Sequence, residues 1–275
     1  MELMTRIAVI GGGRIGEALV AGLLESGRAS KDLVVVEPVP ARADVLAQRF
    51  GSRVTDSVSD AVVGADLIVV AVKPHDMDGV LTELGKAELG DDRDQVLVSL
   101  AAGIPTGRFE AKLPAGFPVV RVMPNTPMLV GQGMSAIAPG RYARPEHLRM
   151  VTEMLESVGK VVTVAEAQMD AVTAVSGSGP AYFFLIVEAM IDAGIGLGLT
   201  RDVASQLVVQ TMLGAAALLD ESGQSAAELR AAVTSPAGTT AAAVRELERG
   251  AVRAVFHDAL HAAKDRSAEM GVTSD

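Results

Sequence analysis

The segment Gly11-Gly-Gly13-Arg-Ile-Gly16 follows directly on the strand-like run Arg6–Ile10 and opens a stretch of helical pattern. This G-x-G-x-x-G arrangement leaves few folds open. Its first glycine allows a tight turn, its second lets the backbone approach a pyrophosphate, and its third lets the helix pack closely on the strand. The helix start then offers unpaired N–H groups to phosphate charge. A glycine motif alone is weak evidence. With a strand before it, a helix after it and an α/β pattern beyond, it points to a dinucleotide site rather than a merely structural turn.

The pattern downstream agrees. Strand-like apolar runs occur at Leu33–Glu37, Asp66–Val72, Gln95–Leu100 and Pro118–Met123, with a short edge segment at Val54. Near-continuous apolar runs of this length suit strands covered on both faces, as in a parallel sheet. Helical stretches such as Gly16–Glu25 and Ala41–Phe50 separate them, which suggests right-handed βαβ units. Ser135–Ala138 and Lys160–Val164 read as two further short strands around a helix near Pro145–Val158. Beyond Val164 strand signals stop. Gln168–Val175 reads as helix, Ser176-Gly-Ser-Gly-Pro180 as a break, and a long apolar helix runs to about Ile191. Arg201–Glu221, Ala226–Ala232, Thr239–Glu248 and Ala251–Met270 complete a helical set. The expected organisation is an α/β Rossmann-like domain with a mostly parallel sheet over 1–164, followed by an all-α domain over 165–275.

Composition narrows the function. The chain has 275 residues, so about two domains of roughly 150 residues are expected. A formal charge of −10 argues against nucleic-acid and anionic-membrane partners, because phosphate neutralisation needs clustered Lys and Arg. There is no Cys, which removes disulfides and Cys-based metal centres. The most membrane-like stretch, Ala181–Leu199, carries Glu188 and Asp192 and reads as a buried helix. No basic leader precedes the first strand, so a cytoplasmic location is expected. A helix apolar on every face must be buried, and the helical half is too small to bury several alone. An oligomer interface is expected there.

Three segments end strands: Val72-Lys-Pro-His75, Ser99–Gly103 and Met123-Pro-Asn125-Thr-Pro127. Ligands of open parallel sheets bind at the carboxyl ends of the strands, so these segments are expected to line the cofactor cleft, Asn125 included. Glu37 lies about twenty residues after Gly16, where an acid accepts from the ribose 2′-OH and disfavours a 2′-phosphate. That leans towards NADH, although Arg14 and Arg42 stand near enough in sequence to partner a phosphate. In the helical half, Ser176–Pro180 and Thr234–Thr240 combine small hydroxyl residues and Gly before a helix. Such turns either cap the helix or present amides and a hydroxyl to a carboxylate. His257 and His261 lack the His-Glu-x-x-His order and a third ligand, so no metal site is expected. His75 and His147 have no visible triad partners, and Asp91–Asp94 reads as a solvated loop.

Together these motifs resemble the pyrroline-5-carboxylate reductase family over nearly the whole chain. The resemblance rests on the glycine motif, Ala71-Val-Lys-Pro74, Arg121–Pro127, Ser176–Tyr182 and above all Leu229–Thr240 with Val-Thr-Ser-Pro-Ala-Gly-Thr-Thr. It implies a Rossmann-like domain followed by a helical dimerisation domain, dimers that assemble further, commonly into decamers, and NADPH or NADH as reductant. It implies cofactor contacts at Ile10, Gly11, Gly12, Gly13, Arg14, Ile15 and Gly16, and at Glu37, Ala71, Lys73, Pro74, Ala101, Ala102 and Gly103. It implies a substrate loop at Ser235–Thr240, with Ser235, Gly238, Thr239 and Thr240 holding a small cyclic imine bearing a carboxylate. Thr240 is expected to hydrogen-bond the ring nitrogen, brought near the nicotinamide with the help of a neighbouring subunit. Four positions depart from the family pattern: His75, Val58, Ala232 and Ala237. Ala237 replaces a common Gly, which suggests that this position does not need a positive φ. The competing readings are a reductase of another imine or a β-hydroxy acid, a non-catalytic dinucleotide sensor, and an assembly protein. The absence of Lys from Gln168–Ile191 counts against β-hydroxy-acid chemistry. The intact Ser-Pro-Ala-Gly-Thr-Thr segment counts against a sensor, and the glycine motif against an assembly protein.

Overall fold

Four-residue runs of Val, Ile, Leu and Ala build the centre of the sheet, and every residue of these runs but Ser99 is apolar. They are β1 (Ile7–Ile10), β2 (Leu33–Val36), β4 (Leu67–Val70) and β5 (Val96–Ser99), all fully buried. The short β3 (Arg53–Thr55) forms one edge. The sheet continues through β6 (Val119–Met123), β7 (Gly133–Pro139) and β8 (Gly159–Thr163). The computed structural model describes residues 5–87, 89 and 95–272; Asp91–Asp94, expected to form a solvated loop, lies outside them.

The strand order is β3-β2-β1-β4-β5-β6-β7-β8. β1 to β6 run parallel, β7 is antiparallel to β6, and β8 is parallel to β7. Because side chains alternate along a strand, both faces need covering. Ile7, Val9, Leu33, Val35, Leu67 and Val69 pack on one face with α1 (Arg14–Glu25) and α6 (Pro145–Glu156). Ala8, Ile10, Val34, Val36, Ile68 and Val70 pack on the other with α3 (Val58–Val62), α4 (Met77–Leu84) and α5 (Thr106–Glu110). The remaining helix of this part, α2 (Pro40–Phe50), starts on Pro40 and stops at left-handed Gly51. The order of successive strands turns back between β1 and β4, with β2 and β3 on one side and β4 to β6 on the other, and such a switch point opens a crevice at the strand ends.

After β8 the backbone is helical. A 3-10 turn over Glu166–Gln168 leads into α7 (Met169–Val172), a π-helical turn over Thr173–Gly177, and α8 (Gly179–Gly196). The expected break at Ser176–Pro180 is therefore corrected to one π turn inside a nearly continuous helix. Pro180 removes the N–H that would bond the Ser176 carbonyl. Asn125 Nδ2 donates to that carbonyl instead, at 3.3 Å, while Ser178 N–H donates five residues back to Thr173 O at 2.8 Å. α9 (Arg201–Glu221), α10 (Ala226–Ala232), α11 (Thr239–Arg249) and α12 (Val252–Val272) follow.

The chain forms two compact units: residues up to Ser178 together with those from Ala263 onward, and Gly179–Ala262. In the first unit, buried Arg121 lies 3.8 Å from Glu166 and 3.9 Å from Asp170. Burial lowers its affinity for the proton, and the two carboxylates oppose that. Ser267 donates to Asp170 at 2.7 Å, which ties the last turns of α12 into this unit. In the second unit, α8 packs against α9, yet the expectation that Ala181–Leu199 is buried fails within one chain. Phe184, Leu185 and Leu197 are 63%, 65% and 87% exposed, because the small unit has too few partners to cover them. Glu166–Gly196 and Arg201–Glu221 are long and apolar enough to cross a membrane by length and composition.

Candidate functional site

At the carboxyl ends of β1, β2 and β4 the chain leaves an open cleft of about 630 Å³. The glycine segment forms its floor, and each glycine has a separate reason. Gly11 has a φ of +109°, and a Cβ there would meet the Ala71 carbonyl oxygen at 2.9 Å. A Cβ on Gly16 would lie 2.1 Å from the Gly11 oxygen, so only glycine lets α1 approach β1. Gly13 faces open space, where a Cβ would meet nothing within 4 Å, and it caps α1 without a side-chain hydrogen bond. The first N–H groups of α1 thus have no side-chain cap, beside bare backbone. This fits a pyrophosphate.

Gly12 is held by a contact that its sequence neighbours do not announce. A Cβ there would meet Leu46 Cδ1 at 2.4 Å and Glu37 Oε2 at 2.9 Å. Glu37 is not a solvent-facing strand end: it is 8% exposed and lines the cleft. Its Oε1 accepts from Val39 N–H at 3.0 Å, and its Oε2 lies 3.6 Å from Arg42 Nε. Arg42 in turn donates to the Gly12 carbonyl at 2.6 Å and to Glu17 at 2.7 Å.

Of the expected cofactor residues, Ile10, Gly11, Gly12, Gly13, Glu37, Ala71 and Lys73 line this cleft. Arg14, Ile15, Gly16, Pro74, Ala101, Ala102, Gly103 and Asn125 do not. Gly103 sits at φ +78° after β5, against Met270 and Gly271 of α12. Asn125 accepts from Met134 N–H at 2.8 Å and donates to Ser176, so its amide braces the π turn. His75 and Val58, two of the departures from the family pattern, both line the cleft. The cleft also takes in Val39, Asp56, Gly79, Val80 and Glu83. The last three lie on α4, a helix missing from the elements expected above, although its Met77, Val80, Leu81 and Leu84 repeat carries a short helical signal.

The helical unit holds the segment expected to form the substrate loop. Leu229–Thr240 forms the end of α10, a turn, and the start of α11. Ala237 has a φ of +59°, which corrects the expectation drawn from its side chain. The turn demands a left-handed residue, and alanine occupies it at a cost. Gly238 N–H donates to Ser235 O at 3.0 Å, and a Cβ on Gly238 would meet Ser235 Oγ at 2.4 Å. Gly238 is the N-cap of α11, with no side-chain cap bond. The hydroxyls of Ser235, Thr239 and Thr240 are therefore not used as caps, in contrast to Thr200 and Ser225, which cap α9 and α10. Ser235 and Thr239 are exposed, and Gly238 and Thr240 are half-buried. The Ser176 segment forms no comparable turn.

The histidines do other work. His147 is buried and its Nδ1 accepts from Arg144 N–H at 3.0 Å, closing the start of α6. His257 and His261 stack at 4.2 Å on α12. Among the described residues no group of three or more His, Asp or Glu gathers at metal-binding distance.

Comparisons with known proteins match both parts. The family described as pyrroline-5-carboxylate reductase dimerisation matches residues 166–270, and the one described as NADP oxidoreductase, coenzyme F420-dependent, matches residues 6–103. A pyrroline-5-carboxylate reductase of Mycobacterium tuberculosis is 52% identical, over 99% of each chain. A solved pyrroline-5-carboxylate reductase from Coxiella burnetii superposes with a TM-score of 0.91 at 36% identity, covering 97% of this chain and 98% of that one. A Plasmodium falciparum pyrroline carboxylate reductase with NADP bound gives a TM-score of 0.86 at 29% identity, covering 98% and 99%.

Proposed function

The chain belongs to the pyrroline-5-carboxylate reductase family, and on that premise we propose that it reduces 1-pyrroline-5-carboxylate to L-proline by hydride transfer from NADPH or NADH. It is an oxidoreductase with a small-molecule substrate, and it acts as a homo-oligomer.

The substrate is a cyclic imine that carries a carboxylate. A hydride forms the new C–H bond at the imine carbon, the C=N π pair goes to nitrogen, and nitrogen ends protonated. Bound nicotinamide supplies the hydride. The chain's own residues have three tasks: to hold the carboxylate, to align the ring, and to hydrogen-bond the nitrogen. The observation that supports the assignment of the substrate loop is the uncapped start of α11. Its first N–H groups, at Thr239 and Thr240, are given to no side chain, and a helix start of this kind attracts a carboxylate. The Ser235 hydroxyl stands at the same turn. Thr240 lies one residue into the helix and offers its hydroxyl to the ring nitrogen. A threonine hydroxyl is too weak an acid to deliver a proton near neutral pH. Its role is orientation and polarisation, and the proton comes with the iminium or through water.

Residues 1–164 serve as the dinucleotide domain, and 165–275 serve dimerisation and substrate binding. The uncovered apolar faces of α8 and α9 are buried between copies in dimers, which assemble further into decamers, rather than in a membrane. The enzyme works in the cytoplasm. Absorbance in the reduced-nicotinamide band tests the activity: adding the imine to enzyme and cofactor removes the band as proline forms. Thr240→Ala is expected to lower turnover about 10- to 100-fold, the loss of one hydrogen bond to a charged group, while cofactor affinity holds. Unchanged turnover in Thr240→Ala removes that residue from the mechanism.

A further inference from the structure

The turn between β2 and α2 reads Glu37-Pro38-Val39-Pro40, and its hydrogen bonds can be accounted for one by one. Pro38 and Pro40 have no N–H. The Glu37 N–H donates to Thr55 O at 2.9 Å. The Val39 N–H donates to the turn's own Glu37 carboxylate at 3.0 Å. The four residues therefore leave no backbone donor for an added ligand. The guanidinium beside Glu37, that of Arg42, is already engaged at two of its three nitrogens. Arg42 Nε is on the Gly12 carbonyl and Arg42 Nη2 is on Glu17, which Arg49 also pairs. The Glu37 carboxylate rests against Gly12, and Asp56 lines the same cleft.

In a fold of this type, the ribose 2′ position of a bound dinucleotide lies at the end of the second strand. A ribose hydroxyl there finds an acceptor, the Glu37 carboxylate. A 2′-phosphate finds a buried anion, no free amide in the turn, and an arginine whose Nε and Nη2 are committed to Gly12 and Glu17. From this we infer that the reductant this chain takes is NADH, and that Glu37 with its proline-flanked turn is what rejects NADPH. The inference rests on the dinucleotide reading of the cleft but not on the identity of the imine. It also separates this chain from the Plasmodium falciparum relative, whose structure holds NADP.

Calorimetric titration of the full-length protein with NADH and with NADPH, without any imine, tests it. Like charges forced together at a binding site weaken binding by on the order of hundreds-fold, less where solvent screens them, so NADPH is expected to bind at least about 30-fold more weakly than NADH. Glu37→Ser is expected to narrow the ratio to within about threefold, mainly by tightening NADPH. Glu37→Gln keeps an acceptor for Val39 N–H and removes the charge, and serves if circular dichroism shows that Glu37→Ser does not fold. NADPH binding as tightly as NADH to the unaltered protein overturns the inference. So does an unchanged ratio in a folded Glu37 variant. Because no imine is present, failure to reduce pyrroline-5-carboxylate leaves this result standing. Equal affinities would in turn leave the reductase activity untouched.

Discussion

Ala237 shows how a single residue can mislead. Its side chain suggested an ordinary backbone, yet its φ is +59°. The residue type records what a site tolerates, and the turn before α11 sets what it requires. Ala237→Gly should stabilise the protein by about 1 kcal/mol, the cost of a left-handed alanine, read as a raised denaturation midpoint. An equal or lower midpoint would contradict the strain. The glycine segment makes a sharper contrast. Gly16→Ala drives a Cβ against backbone at 2.1 Å and should cost about 3 kcal/mol or more, since neither strand nor helix can yield cheaply. Gly13→Ala meets no protein atom within 4 Å. Its melting temperature should shift by less than about 3 °C, while dinucleotide affinity falls at least about tenfold, because the added methyl occupies the approach to the pyrophosphate. Thermal melts and titrations of the two variants separate fold from ligand. The spacing of Gly11, Gly13 and Gly16 was fully legible in the sequence. The triangle of Gly12, Glu37 and Arg42 was not, because Gly12 lies about 25 and 30 positions before the other two and meets them only through the pairing of β1 with β2.

At the scale of elements, the strands were the most legible part. A run such as Leu67–Val70 has one reading when both of its faces must be covered. The error came at Ser176–Pro180, where two glycines and a proline signalled a break. A proline ends a helix when its orphaned carbonyl has no other donor, and here Asn125, just after β6, supplies one. Gly177 allows the close approach, since a Cβ there would strike Met123 Cε at 2.3 Å. Tertiary contact thus overrode a local rule, and nothing near residue 176 announces it. Asn125→Ala removes the partner of both the Ser176 carbonyl and the Met134 N–H. It should destabilise the first unit by about 2–4 kcal/mol, the cost of two poorly solvated groups left unpaired. A loss below about 0.5 kcal/mol in urea denaturation would show that water replaces the amide without penalty. α4 was missed for a different reason: eight residues with four buried give little periodicity to count.

Across the whole molecule, apolar surface is the dominant unsolved term for a lone chain. Phe183, Phe184, Leu185, Leu197 and Leu213 are all exposed on α8, the turn after it and α9, and apolar exposure on this scale fits an interface between copies. The sequence already implied this through helices with no polar face. It could not reveal which residues lie bare, since that depends on how few neighbours a two-helix contact provides. Light scattering at micromolar concentration should give a mass that is a multiple of 28.3 kDa. Phe184→Asp should shift the protein towards the single-chain mass and reduce turnover with it. A monodisperse single chain with full activity would remove the role of the oligomer. The reductase assignment itself is tested most directly by one assay. The purified oligomer is mixed with NADH, and then with NADPH, and the fall in nicotinamide absorbance is followed on adding pyrroline-5-carboxylate. One proline should form for each reduced cofactor consumed; a folded, oligomeric protein that consumes neither cofactor would contradict it.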